Sequence, residues 1–140
     1  MKHTLFLLSF CYISFISAQD STKTKVETPK IITKLMYGNT INIEGLDFKF
    51  VGTQSDSRCP KGVQCVWAGE VIATVNILKE GTVLERKRIV FSATSKAQSL
   101  TGNIFSSEAF NVSGLGVGPY PEYRNKIKKE DYYINLEIRN

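Results

Sequence analysis

The side chains best suited to chemistry cluster in one run, Asp56-Ser57-Arg58-Cys59-Pro60-Lys61-Gly62-Val63-Gln64-Cys65-Val66-Trp67-Ala68-Gly69-Glu70. It carries two cysteines, the only tryptophan of the chain, two cations and two carboxylates. Cys59 and Cys65 stand six positions apart, which in an oxidising compartment reads as one disulfide. Closing so small a loop stabilises a fold by roughly 2–2.5 kcal/mol in the chain-entropy model. The spacing is not that of a Cys-x-x-Cys redox pair, and a zinc site would need two further soft ligands.

Two readings of this run compete. In the first it is a binding site: a rigid loop presents Arg58, Lys61 and Trp67, the arginine grips an anion in bidentate fashion and the tryptophan stacks on a ring. In the second, which the usual behaviour of a lone tryptophan beside a disulfide favours, Trp67 plugs one end of the core and Arg58 pairs with Asp56 or Glu70. Either way Asp56 can accept hydrogen bonds from the backbone just after it, Pro60 and Gly62 bend the loop, and Gly69 admits close backbone approach. A second candidate surface is Pro119-Tyr120-Pro121-Glu122-Tyr123-Arg124-Asn125-Lys126-Ile127-Lys128-Lys129. Its prolines stiffen an extended loop, and Tyr120 and Tyr123 among cations suit contact with protein or glycan; the alternative is a solvated connection whose tyrosines cover the end of the core.

Catalysis is disfavoured by inventory. The one histidine, His3, sits in an N-terminal segment that reads as removable, so neither a Ser-His-Asp nor a Cys-His arrangement can be assembled, nor a histidine-based zinc centre. What remains is a carboxylate pair drawn from Asp47, Asp56 and Glu70, or a Ser–Lys nucleophile, neither with a recognisable motif. Gly114-x-Gly116-x-Gly118 runs into Pro119 rather than a helix start, so it is no phosphate cradle. No cofactor and no metal are expected.

The N-terminus reads as an export signal. Lys2 and His3 precede an apolar stretch from Leu5 to Ile16 and then Ser17-Ala18-Gln19, placing cleavage after Ala18. The stretch is too short to span a bilayer, which needs about 20 residues. A lipoprotein anchored through Cys11 is the rival, disfavoured by bulky Phe10. No later stretch reads as a transmembrane segment, so the expected location is periplasmic or fully secreted. Removing residues 1–18 takes away Lys2, leaving 17 of 18 basic residues against 13 acidic ones, a net charge of +4. So mild a basic balance suits anionic surfaces, glycans or acidic proteins. The basic run at 86–88 lacks the aromatic platforms of nucleic-acid binders.

The elements positioning these residues read as strands. Residues 19–30 are polar and read as a flexible leader, leaving 31–140 as a single domain. Ile41 and Ile43 alternate with polar neighbours, and Leu46, Phe48 and Phe50 resume the alternation beyond Glu44-Gly45, a hairpin turn or a glycine bulge. Val71, Ala73, Val75 and Ile77 share one parity, then Glu80-Gly81 turns into a return strand, 83–91, whose Glu85-Arg86-Lys87-Arg88 marks a sheet edge or a solvated ribbon. The stretch 92–107 shows no clear period. Phe110 and Val112 open another strand, and Tyr132, Ile134, Leu136 and Ile138 define the last. About six or seven mostly antiparallel strands imply an all-β sandwich or small barrel.

The segment Asp-Ser-Arg-Cys-Pro…Cys-x-Trp-x-Gly, here Asp56 to Gly69, resembles a family of small exported bacterial proteins. The likeness is specific over 55–70 and looser at Leu46–Val51 and Pro119–Ile138. It implies an exported, stapled, β-rich protein and supplies no catalytic residues. The expected function is a non-catalytic binding or accessory protein whose partner is a protein, a glycan or a small anionic ligand. The runner-up is an assembly component joined through β edges, and behind it a carboxylate-based hydrolase.

Overall fold

The computed structural model describes residues 29–92 and 102–140. The export signal, its cleavage site, Cys11, almost all of the polar leader, and Ala97 and Leu100 lie outside the described residues.

Period-two alternation produces the strands it implies. β1 (Lys30–Met36), β2 (Thr40–Ile43), β3 (Leu46–Asp56), β4 (Glu70–Lys79), β5 (Thr82–Ser92), β6 (Asn103–Ser106), β7 (Asn111–Gly118) and β8 (Tyr133–Arg139) form two four-stranded antiparallel sheets, ordered β1-β8-β7-β6 and β2-β3-β4-β5. The sheets face each other as a sandwich across one core. Phe48, Phe50, Val71, Ala73, Val75 and Ile77 from one sheet meet Val112, Val117, Ile134, Leu136 and Ile138 from the other. Tethering β6 to that core, Phe105 packs 5.2 Å from Phe110 and 6.0 Å, edge-on, from Phe48.

Eight strands exceed the six or seven expected. The additions are β1, where adjacent Ile31 and Ile32 hide the alternation, and β6, a four-residue element inside the stretch that shows no period. Glu44-Gly45 and Glu80-Gly81 are both tight hairpin turns, with left-handed φ at all four residues (49°, 80°, 50° and 80° in chain order). This is the geometry that matches strand twist. β5 lies at a sheet edge, as its charges require. In β4, seven consecutive residues from Val71 to Ile77 are buried. The outward-facing members are covered because β4 lies between two long strands and Arg86 folds over its neighbour, donating from Nε to Asn76 at 3.0 Å.

Candidate functional site

The ladder between β3 and β4 ends at Asp56 and Val71, but backbone pairing continues beyond it. Ser57 N–H donates to Glu70 O at 2.8 Å and Cys59 N–H to Ala68 O at 2.9 Å, so 57–59 and 68–70 form a narrow ribbon projecting past the sheet. The Cys59–Cys65 disulfide closes its tip, with a Cα–Cα separation of 5.9 Å. Gly69 is what lets the two ribbon strands approach. Its φ is +70°, and a Cβ there would lie 1.8 Å from Ser57 O.

The root of the ribbon is locked by Asp56 and Arg58, whose side chains are each 9% exposed. Arg58 Nε donates to Asp56 Oδ1 at 2.8 Å while one terminal nitrogen donates to Oδ2, a bidentate ion pair. The same guanidinium reaches the opposite sheet, donating to Val117 O at 2.6 Å and Pro119 O at 3.0 Å. Tyr132 Oη completes the cluster by donating to Asp56 Oδ2 at 3.0 Å. Burial alone would push the Asp56 carboxyl up; hydrogen bonds and charge from Arg58 outweigh it and hold the pKa below the ordinary carboxylate value. Burial, reinforced by the Asp56 charge, pushes the Tyr132 hydroxyl up.

The ribbon is also knitted to the proline-containing loop. Lys61 N–H donates to Pro121 O at 2.9 Å, and Tyr123 N–H returns to Lys61 O at 3.0 Å. Tyr120 then carries two cations over its ring, Arg58 at 5.1 Å and Lys61 at 5.9 Å from the centroid, while Arg124 stands 5.1 Å from that of Tyr123. Arg58, Lys61, Tyr120 and Tyr123 are therefore brought together at one end of the sandwich, with Pro60 and Gly62 forming the bend between them.

The second reading divides: its Arg58–Asp56 pairing is present, and its Trp67 plug is not. Arg58 is committed to Asp56 and to two carbonyls, so its guanidinium is no open anion grip. Trp67, by contrast, does not plug the core: it is 75% exposed, and its neighbour Val66 is fully exposed. Ribbon residues beyond the end of the sheet have no opposite sheet to bury them. Trp67 instead lines a separate cleft of about 300 Å³ with Ser57, Ala68, Gly69, Glu70 and Ser92. Glu70 anchors the ribbon through its backbone, and Asp47 accepts a hydrogen bond from Asn42 at 2.7 Å. Sequence reasoning missed Tyr132 and the carbonyls of Val117 and Pro119, which no spacing near Arg58 announces. No protein family model, curated protein or solved structure matches this chain.

Three outcomes are expected. Arg58→Ala should destabilise the fold by about 3 kcal/mol or more in equilibrium denaturation, since removing one member of a buried pair strands the other; a loss near zero would mean the lock is ornamental. A carboxyl whose pKa is depressed on folding contributes stability that is complete above its ordinary value of 3.8 and is lost as pH falls through the folded pKa. Arg58→Ala should therefore lose less stability than the wild type between about pH 5 and pH 2. Finally, emission from the single tryptophan should resemble that of a water-exposed model compound and shift little on unfolding in guanidinium; a large red shift would restore Trp67 to the core.

Proposed function

We propose that this chain is an exported, non-catalytic binding protein of the bacterial envelope or extracellular space, and that the stapled ribbon is its contact surface. The observation supporting this most directly is an exposed Trp67 on a rigidly fastened support. A disulfide, a bidentate ion pair and cross-loop hydrogen bonds immobilise a segment whose large apolar side chains, Val63, Val66 and Trp67, face solvent. For internal stability alone, an exposed tryptophan wastes apolar area. For binding, an aromatic anchor already held in place avoids the entropy of ordering a loop on contact. The disulfide fits an oxidising compartment, and the resemblance over 55–70 favours an exported bacterial protein.

Asp56 is held ionised within an ion pair, which argues against it as the general acid of a carboxylate-based hydrolase. The assembly reading retains one specific observation in its favour: the edge strand β5 exposes Val83 and Leu84 beside its charges.

Photo-crosslinking separates the two. A photoreactive residue is placed at position 67, at Leu84 on β5, or at the exposed control Leu115, and the chain is expressed in exporting cells. The binding reading expects a discrete heterologous product from position 67 and none from 115. Products from position 84 that contain only second copies of this chain, with none from 67, would replace it with the assembly reading.

A further inference from the structure

On the same end of the sandwich, three lysines converge on a hollow separate from the Trp67 cleft. Thr53, Lys126, Ile127, Lys128, Lys129 and Tyr132 line a solvent-open space of about 530 Å³, within the size range of small-ligand sites. Its lining is one-sided: three lysines, two hydroxyl-bearing residues, Ile127, and not one carboxylate. Among the described residues none of these lysines belongs to an ion pair. Lys129 lies 5.0 Å from the Tyr37 ring centroid, and hydrogen bonding with Tyr37 raises its pKa, so it stays cationic well beyond neutral pH.

Glu130, whose charge acts on Lys129, does not line the hollow; the other carboxylates nearby lie to one side. Glu122 and Asp131 line a smaller hollow of about 200 Å³, which shares Lys126 and Ile127 with the first. Asp56, behind Tyr132, is neutralised by Arg58. The Tyr132 ring is fixed by its bond to Asp56, and Thr53 by its place in β3, so a firm floor lies beneath long, adaptable cations.

We infer that this cleft binds an acidic saccharide, a sugar ring bearing carboxylate or sulfate groups. The apolar flanks of Tyr132 and Ile127 offer a stacking face to the ring. The lysines meet its anions as point charges, and the Thr53 hydroxyl, whose proton goes to the Tyr132 oxygen, adds an acceptor. A bare inorganic anion would use the charge and leave the floor unused. A flat bilayer surface would likewise draw on the lysine charges and leave the recessed floor unused. This inference does not rest on the Trp67 surface and stands or falls separately.

Calorimetric titration of the exported chain with oligogalacturonate and with a heparin-derived tetrasaccharide tests it, alongside inorganic phosphate and phosphatidylglycerol vesicles. Saccharide binding is expected, and the variant Lys126→Ala/Lys128→Ala/Lys129→Ala should weaken it at least about tenfold. The variant Lys30→Ala/Lys49→Ala/Lys79→Ala, which removes the same charge from exposed positions elsewhere, should change it far less. In wild-type NMR spectra the saccharide should move the amide signals of Thr53 and Ile127, a readout independent of any variant's folding. Equal weakening in the two triple variants would overturn the site in favour of general charge attraction. Phosphate binding as tightly as the saccharides, vesicle binding without saccharide binding, or no heat and no amide shift would each overturn it as well.

Discussion

The ribbon end of this sandwich is held together by one guanidinium. Arg58 leaves the end of β3 and satisfies Asp56 two residues behind it. It then crosses to carbonyls at and just beyond the end of β7 in the other sheet. Burying such a pair is costly unless nearly every donor and acceptor is matched. Here the guanidinium makes four side-chain hydrogen bonds, and Asp56 also accepts from the Arg58 backbone N–H at 3.3 Å and from Tyr132. A lysine could not substitute, because a point charge on a flexible stem has no planar fork with which to hold two oxygens of a carboxylate and two carbonyls at once. The pair is therefore a joint as well as a charge contact: it sets the ribbon, the proline-containing loop and the start of β8 relative to one another.

How far the molecule was legible in its sequence follows from where each signal originates. The hairpin turns at Glu44-Gly45 and Glu80-Gly81 are local, and so are the alternations in β3, β4 and β8; all could be read directly. β1 escaped notice because its first three residues, Lys30 to Ile32, are exposed and carry no burial pattern. β6 escaped because one turn of alternation within four residues is no pattern at all. At the site, the choice of Asp56 over Glu70 as partner for Arg58 could not be read, since both lie within reach of a loop of unknown path. The structure resolves it through the ribbon, which ties Glu70 through its backbone. Tyr132 was legible as a strand residue but not as a partner of Asp56, a contact spanning 76 positions.

Trp67 shows where a general expectation yields to a particular geometry. A tryptophan beside a disulfide is usually core because the disulfide usually lies between packed sheets. Here the disulfide closes a ribbon that has already left the sheets, so the ring beyond it meets solvent. The same projection explains why the ribbon needs such fastening: without an opposing sheet, covalent closure, hydrogen bonding along the ribbon and to the proline-containing loop, and the Arg58 joint hold its shape. Rigidity and exposure arise together from one topological fact.

That arrangement separates the two surfaces in chemistry while joining them in mechanics. The Trp67 cleft is built from ribbon residues, the start of β4 and the end of β5, the lysine cleft from β3 and the segment entering β8, and their linings share no residue. Substitutions confined to one lining should act independently of those in the other, as distant sites without common partners do. Asp56 and Arg58 are the exception. Their contacts reach Tyr132 on one side and the ribbon root on the other, so loosening them would disturb both surfaces together. The ion pair thus belongs to the scaffold of each site and to the recognition chemistry of neither. A buried, fully paired charge serves that role well, since it fixes geometry without competing for a ligand.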